Sequence, residues 1–263
     1  MPPSNFLQEI INTCTRLLIE SSTKKEYKEK LFKDSKELLK IVEKINENCE
    51  KICKRNEKYL NLIINRLNSL RGKTVETVLA RTKTRLLVDV SSPFGWLVDE
   101  IGLAWHPILD TPYIPSSEIK GAVRAAIEFE KGREIAEIIL GSGASAGQGG
   151  HISLVEFLPA LPIRCENKEL LEIDVLTPMY KEPGFEHEAK PTPITLLVVP
   201  PGVYFEFVYL IDHTRLEEWK DIEAMIDDRI PNIVRRALEK ALRVLGIGAK
   251  TFSDYGRFEI IKT

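Results

Sequence analysis

Between Ser4 and Leu70 the chain contains neither proline nor glycine. Proline inside a helix removes a hydrogen bond and clashes with the preceding turn, and glycine costs about 1 kcal/mol against alanine. A stretch free of both can carry long, uninterrupted helices. Its apolar residues recur at helical spacing: Leu31, Leu38, Ile41, Val42, Ile45, Cys49 and Ile52, then Leu60, Ile63, Ile64 and Leu67. Lysine and glutamate run between them, as in Lys24-Lys25-Glu26-Tyr27-Lys28-Glu29-Lys30. The pattern predicts two or three amphipathic helices, ended by Arg71-Gly72-Lys73 as a C-cap. We place an N-terminal helical region at 1–73 and a second region at 74–263.

Charge follows the same division. The 263-residue chain has a formal net charge of −2, which at face value argues against nucleic acid as a partner. Sixteen bases and ten acids through Lys73 leave +6, and the twenty-one bases and twenty-nine acids beyond it leave −8. The basic helices present either a solvated face or a docking surface for a partner subunit or an RNA backbone. With 43% apolar and 29% charged residues the composition is globular. No apolar run approaches the roughly 20 residues of a spanning helix, so no membrane is expected as a partner. Met1-Pro2-Pro3-Ser4 begins no secretory signal, and four cysteines make no disulfide framework, so a soluble cytoplasmic protein is expected. Cys49 and Cys53, one helical turn apart, read as buried thiols or at most half a metal site, and Cys14 and Cys165 have no partner in view. We expect no metal and no cofactor.

Beyond Lys73 the texture changes. Thr82–Val90 is β-branched and partly alternating, which predicts a strand, and 91–111 reads as a long loop. Ser117–Lys131 and Arg133–Leu140 read as helices, followed by a glycine-rich stretch from Gly141 to Gly150. Strands are predicted at His151–Phe157, Glu172–Val175, Thr195–Val199, Val203–Leu210 and Tyr255–Ile261, with a helix over Leu216–Leu245 broken near Pro231. The resulting β-α-β-(β)-β-β-α-β order predicts an α+β, ferredoxin-like (RRM-like) domain with long insertions, the architecture of RNA-recognition sheets.

Two segments concentrate chemistry. In Tyr113-Ile114-Pro115-Ser116-Ser117-Glu118-Ile119-Lys120-Gly121-Ala122-Val123-Arg124, Pro115 sets the entry to a helix that Ser116 or Ser117 can cap. Its N-terminal amides suit phosphate, and Lys120 and Arg124, four residues apart, share a face near that end. Gly121 inside the helix suggests that something approaches the backbone there. The second segment, Gly246-Ile247-Gly248-Ala249-Lys250-Thr251 followed by Tyr255-Gly256-Arg257-Phe258, is a glycine loop whose amides and Lys250 can hold phosphate, or a tight helix-to-strand turn. It is not a Walker loop, because Ala249 separates the Gly-Lys pair and a helix precedes it.

Together the two segments resemble the signatures of the RAMP superfamily of CRISPR proteins. The first is similar to its Tyr-Ile-Pro-Gly-Ser-Ser-Leu-Lys-Gly motif, and the second to its C-terminal glycine-rich loop. Arg85-Leu86-Leu87-Val88, Gly102-Leu103-Ala104-Trp105-His106-Pro107 and Pro191-Thr192-Pro193-Ile194-Thr195-Leu196-Leu197 resemble the sixth-subunit family of the Cmr (type III-B) effector. Ser116 replaces the family glycine, and Glu118 replaces its second serine. A carboxylate there repels RNA unless it points away or pairs with Lys120 or Arg124, and Asp254 raises the same concern.

The resemblance implies a non-catalytic subunit of an antiviral ribonucleoprotein that binds crRNA and target RNA beside other Cmr-type RAMP subunits and small helical subunits. The residues expected on RNA are Tyr113, Ser116, Ser117, Lys120, Arg124, Gly246, Gly248, Lys250, Thr251, Tyr255 and Arg257. Amides and cations would meet phosphates, and Tyr113 or Tyr255 would stack on bases. Arg236, Lys240 and Arg243, at i, i+4 and i+7, either extend the track or form a solvated face. Two alternatives stay open. One is a metal-dependent endoribonuclease subunit using Asp99, Asp110 and His106, with Glu100 nearby. The other is a helical interaction subunit without direct RNA contact.

Overall fold

The computed structural model describes residues 6, 8, 9, 12, 16, 19, 35–89, 103–142, 152–176, 194–216 and 228–261. Asp99, Glu100, Gly143–Gly150, His151, His187 and Cys14 lie outside them. Helices α1 (Ser35–Glu47) and α2 (Cys49–Asn68) occupy the stretch free of proline and glycine. Helix α2 closes through the Ser69 amide on the Arg66 and Leu67 carbonyls, and Gly72 turns the chain at φ 72°.

Strand β1 begins at once, at Lys73–Thr82, upstream of the predicted Thr82–Val90. The apolar run Leu86-Leu87-Val88 that suggested a strand is fully buried, but outside the main ladder: Leu86 makes an isolated bridge with Val199. Next come the short hairpin β2 (Trp105–His106) and β3 (Thr111–Pro112), helices α3 (Ser116–Lys131) and α4 (Arg133–Leu140), and strands β4 (Val155–Phe157) and β5 (Leu161–Cys165). Strands β6 (Glu172–Leu176) and β7 (Ile194–Val198) pair with each other. Strand β8 (Val203–Asp212), helix α5 (Ile230–Lys240), a π turn (Ala241–Leu245) and β9 (Phe258–Ile260) complete the chain. Pro200-Pro201-Gly202 therefore joins strands of two different sheets, β7 and β8.

The main sheet runs β4-β8-β1-β9, with β5 also on β8, and every pairing is antiparallel. Counting β4 and β5 as one interrupted strand, the order is that of the β-α-β-β-α-β ferredoxin-like arrangement. Helices α3 and α5 cover one face: Ile119, Val123, Ala126 and Ile127 of α3 join Ile233, Val234 and Leu238 of α5 over Phe205, Phe207, Tyr209 and Ile211 of β8. Helix α2 covers the other, with Leu60 packed against Val208, Leu161 and Leu109. The sheet surface that an RNA-recognition fold would leave open is closed by this chain's own helix.

Polar clamps and one covalent bond fasten the helices. Asn46 accepts the Leu170 and Leu171 amides and donates to the Leu171 carbonyl. Buried Asn56 donates to Thr111 and to the Pro162 carbonyl, and Arg55 donates to the Leu109 carbonyl. Cys49 forms a disulfide with Cys165 on β5, their Cα atoms 6.7 Å apart. This corrects the reading of Cys49 as a thiol: its partner lies 116 residues away, a pairing that helical periodicity cannot show. Cys53 is a buried thiol, and burial pushes its pKa up to about 12.

Candidate nucleic-acid interface

Helix α3 starts from a fixed entry. Ile114 exchanges backbone hydrogen bonds with Ala160, and Pro115 takes the N-cap position at ψ 141°. No side chain among the described residues caps the helix, and Ser116 and Ser117 open it rather than cap it. The first amides bonded back to the Pro115 carbonyl are those of Glu118 and Ile119. The Ser116 and Ser117 hydroxyls thus flank the positive end of the helix dipole, Ser117 in the open.

The two cations behind them have different fates. Arg124 donates to the carbonyls of Leu140 and Gly141 and so caps the C-terminus of α4. Lys120 is half-buried, and its pKa is lowered by burial and by the Arg124 charge. A Cβ added to Gly121 would meet nothing within 4 Å, so no part of the described chain requires that glycine. Glu118 is tied to the preceding segment: its Oε1 accepts the Asp89 amide at 2.7 Å. Burial raises its pKa, the hydrogen bond from the Asp89 amide opposes the shift, and the Asp89 charge adds to it.

The glycine loop is a rigid cradle. The Ile247 amide bonds to the Gly256 carbonyl, the Gly256 amide to Arg85, and the Ala249 amide to Leu87 at 2.7 Å. Gly248 sits at φ 93°, and a Cβ there would run into the Leu87 carbonyl oxygen. Lys250 (φ 58°) and Asp254 (φ 64°) are both left-handed and bracket the 3-10 turn Thr251–Ser253. Lys250 is exposed. Arg257 braces the loop from below, donating to the Thr251 carbonyl with its Nε 3.7 Å from Asp254. Tyr255 is buried, precedes β9 rather than lying on it, and donates its hydroxyl to Asp174. Burial and that bond push its pKa up to about 12. A ring so enclosed has no face to offer a base.

The two motifs meet on one segment. The Ala249 amide holds the Leu87 carbonyl, and the Glu118 carboxyl holds the Asp89 amide two residues on. The Leu87–Asp89 backbone therefore ties the start of α3 to the glycine loop.

The remaining expected residues are placed as follows. Tyr113 is half-buried and packs edge-on against His106, ring centroids 5.6 Å apart. The Nδ1 of His106 accepts the Leu109 amide, and burial lowers its pKa. Asp110 is buried, with Oδ1 accepting the Trp105 indole N–H at 2.9 Å and Oδ2 the Phe6 amide at 2.7 Å. On α5, Arg236 pairs with Asp228, and Lys240 pairs with Glu130 at 2.7 Å over the Phe129 ring. Arg243 is exposed.

One residue of the loop was not singled out from the sequence. Phe252, at the centre of the 3-10 turn, has a relative exposure of 107%. Its signal was available: an aromatic residue inside a glycine loop, flanked on both sides by the polar residues Lys250, Thr251, Ser253 and Asp254.

The chain matches the model of the RAMP superfamily over residues 98–259. It is 33% identical to the CRISPR system CMR subunit Cmr6 of Saccharolobus solfataricus over 237 residues, 90% of this chain and 74% of that protein. Its fold superposes with a TM-score of 0.71 on a chain of the type III-B Cmr-beta complex bound to cognate target RNA, at 29% identity, covering 92% of this chain and 76% of the other.

Proposed function

Because the chain belongs to the RAMP superfamily, and within it to the Cmr6 subunits of CRISPR Cmr complexes, we propose that it is a non-catalytic subunit that holds crRNA, and the target RNA paired to it, inside a cytoplasmic antiviral ribonucleoprotein. The observation that carries the proposal is the coupling of the α3 start to the glycine loop through Leu87–Asp89. Two features suited to phosphate, a helix N-terminus with free hydroxyls and a cradle of left-handed backbone bearing Lys250, are held in fixed relation before RNA arrives. Lys120 and Lys250 serve as phosphate ligands. Arg124 and Arg257, spent on carbonyls and on Asp254, shape the site.

The same placements speak against a cleavage role for Asp110 and His106. Both Asp110 oxygens are taken by protein donors, and His106 accepts a backbone amide. Helices α1 and α2 brace the sheet and offer their charged outer faces to partner subunits.

Lys120→Ala and Lys250→Ala in the reconstituted complex test the RNA reading. Each is expected to weaken crRNA binding without sequence preference, and to reduce the log–log salt slope by roughly 0.7 for every phosphate no longer neutralised. A double variant with unchanged affinity and unchanged salt slope would leave the helical interaction role as the function.

A further inference from the structure

The glycine loop ends in an aromatic ring that the chain itself does not use. Phe252 is fully exposed, yet the backbone that carries it is fixed at both ends. The Ser253 amide bonds to the Lys250 carbonyl at 2.8 Å, the Asp254 amide to Thr251 at 3.3 Å, and the Arg257 guanidinium to the same Thr251 carbonyl. The left-handed residues Lys250 and Asp254 bracket the turn. A ring presented this way loses little conformational freedom when something packs on it, which is the arrangement that favours binding.

The ring's surroundings identify its partner. Its exposed neighbours in the loop, Lys250, Ser253 and Asp254, are all polar. A protein contact is built on a contiguous apolar patch, whereas a single aromatic face beside a cation matches one nucleotide, base on ring and phosphate on ammonium. Tyr255 and Phe258, the other aromatic residues of the motif, are buried. We propose that Phe252 is the stacking platform for one unpaired base of the RNA whose backbone follows the glycine loop, with Lys250 on the adjoining phosphate. The inference rests on the RNA reading of this loop and adds a base contact to a site otherwise built for the backbone.

The test uses the full chain, at about 50 mM salt, with two probes: a mixed-sequence single-stranded RNA and an abasic strand of the same length. Phe252→Ala and Phe252→Leu are expected to weaken binding of the base-bearing strand by roughly 5- to 150-fold, the equivalent of ~1–3 kcal/mol per stacked base, and to leave the abasic strand unaffected. Lys250→Ala is expected to weaken both. Phe252→Trp is expected to add a fluorescence signal, over the three native tryptophans, that the base-bearing strand quenches and the abasic strand does not. If Phe252→Ala binds both strands normally while Lys250→Ala weakens both, the loop holds backbone alone and the stacking proposal fails. If neither variant changes either affinity, the RNA reading of the loop fails and takes the proposal with it. If the Phe252 variants bind RNA normally but drop a neighbouring subunit from the assembled complex, the ring is a protein contact, which also overturns the proposal.

Discussion

Glu118 stands in the first turn of α3, where the family motif has a serine, and the cost of placing an acid there is set by its surroundings. Burial raises its carboxyl pKa, the Asp89 amide opposes that shift, and the Asp89 charge adds to it. A group whose pKa rises on folding holds its proton more tightly in the folded chain. Its contribution to stability is complete below the ordinary carboxylate value of about 4.3 and is lost as pH rises through the raised one. Glu118→Gln keeps an oxygen for the Asp89 amide and removes the titration. Thermal melts from about pH 4 to about pH 8 should show the variant gaining on the wild type as pH rises, by no more than the roughly 2–4 °C that ~1 kcal/mol shifts a chain of this size. A difference that stays flat would mean the carboxyl titrates as in the unfolded chain, and a variant that loses ground to the wild type as pH rises would mean the ionised form is the favoured one. Glu118 and Asp110 look alike in the sequence, two acids near a functional motif. What separates them is burial and distant partners, such as the Phe6 amide 104 residues from Asp110, and no local pattern encodes either.

At the scale of elements, the helices were the legible part. Freedom from proline and glycine, with apolar spacing, located α1 and α2, while the expected cap at Arg71-Gly72-Lys73 falls just past the Ser69 that closes α2. What α2 covers was hidden, although β8 carried a clue. Val203 to Ile211 is apolar at every position except Glu206, and a strand so composed has both faces buried. Read that way, β8 demands a second covering layer, and α2 supplies it. Strand β1 was missed because Lys73–Thr82 alternates weakly, while the buried Leu86-Leu87-Val88 run beyond it drew the prediction. The Cys49–Cys165 bond fastens the covering layer across 116 residues of chain, a separation at which a cross-link restrains the unfolded state strongly. Replacing both cysteines with serine should cost about 2–4 kcal/mol in denaturant unfolding. A thiol reductant should destabilise the wild type by the same amount and leave the double variant unchanged. Equal stability of the two proteins under oxidising conditions would show that packing alone holds α2 in place.

For the molecule as a whole, the proposed function sets a chain of net charge −2 against a polyanion, with −8 of charge in the region that carries both motifs. The structure sharpens that opposition rather than easing it. Of the cations in the motifs, Arg124 is committed to the end of α4 and Arg257 to the loop beneath Thr251, and Arg85 is paired with Glu172 at 2.8 Å. On the proposed function, Lys120 and Lys250 are left to neutralise phosphates. Two contacts to a single strand, each worth about −0.7 in the slope of log K against log salt, give a slope of roughly −1 to −2 for the free chain. Binding so shallow in salt dependence supplies little affinity, and one stacked base adds only tenfold or so. Tight binding must come from the assembly, where neighbouring subunits hold the same RNA and raise its effective concentration at this site. Titrations of the isolated chain across a salt series should therefore give weak affinity and a slope in that range, and the assembled complex should give a far steeper one. Nanomolar affinity of the free chain at physiological salt, or a free-chain slope as steep as that of the complex, would mean that cations beyond Lys120 and Lys250 line the path. The basic helices before Lys73 would then be the first place to look.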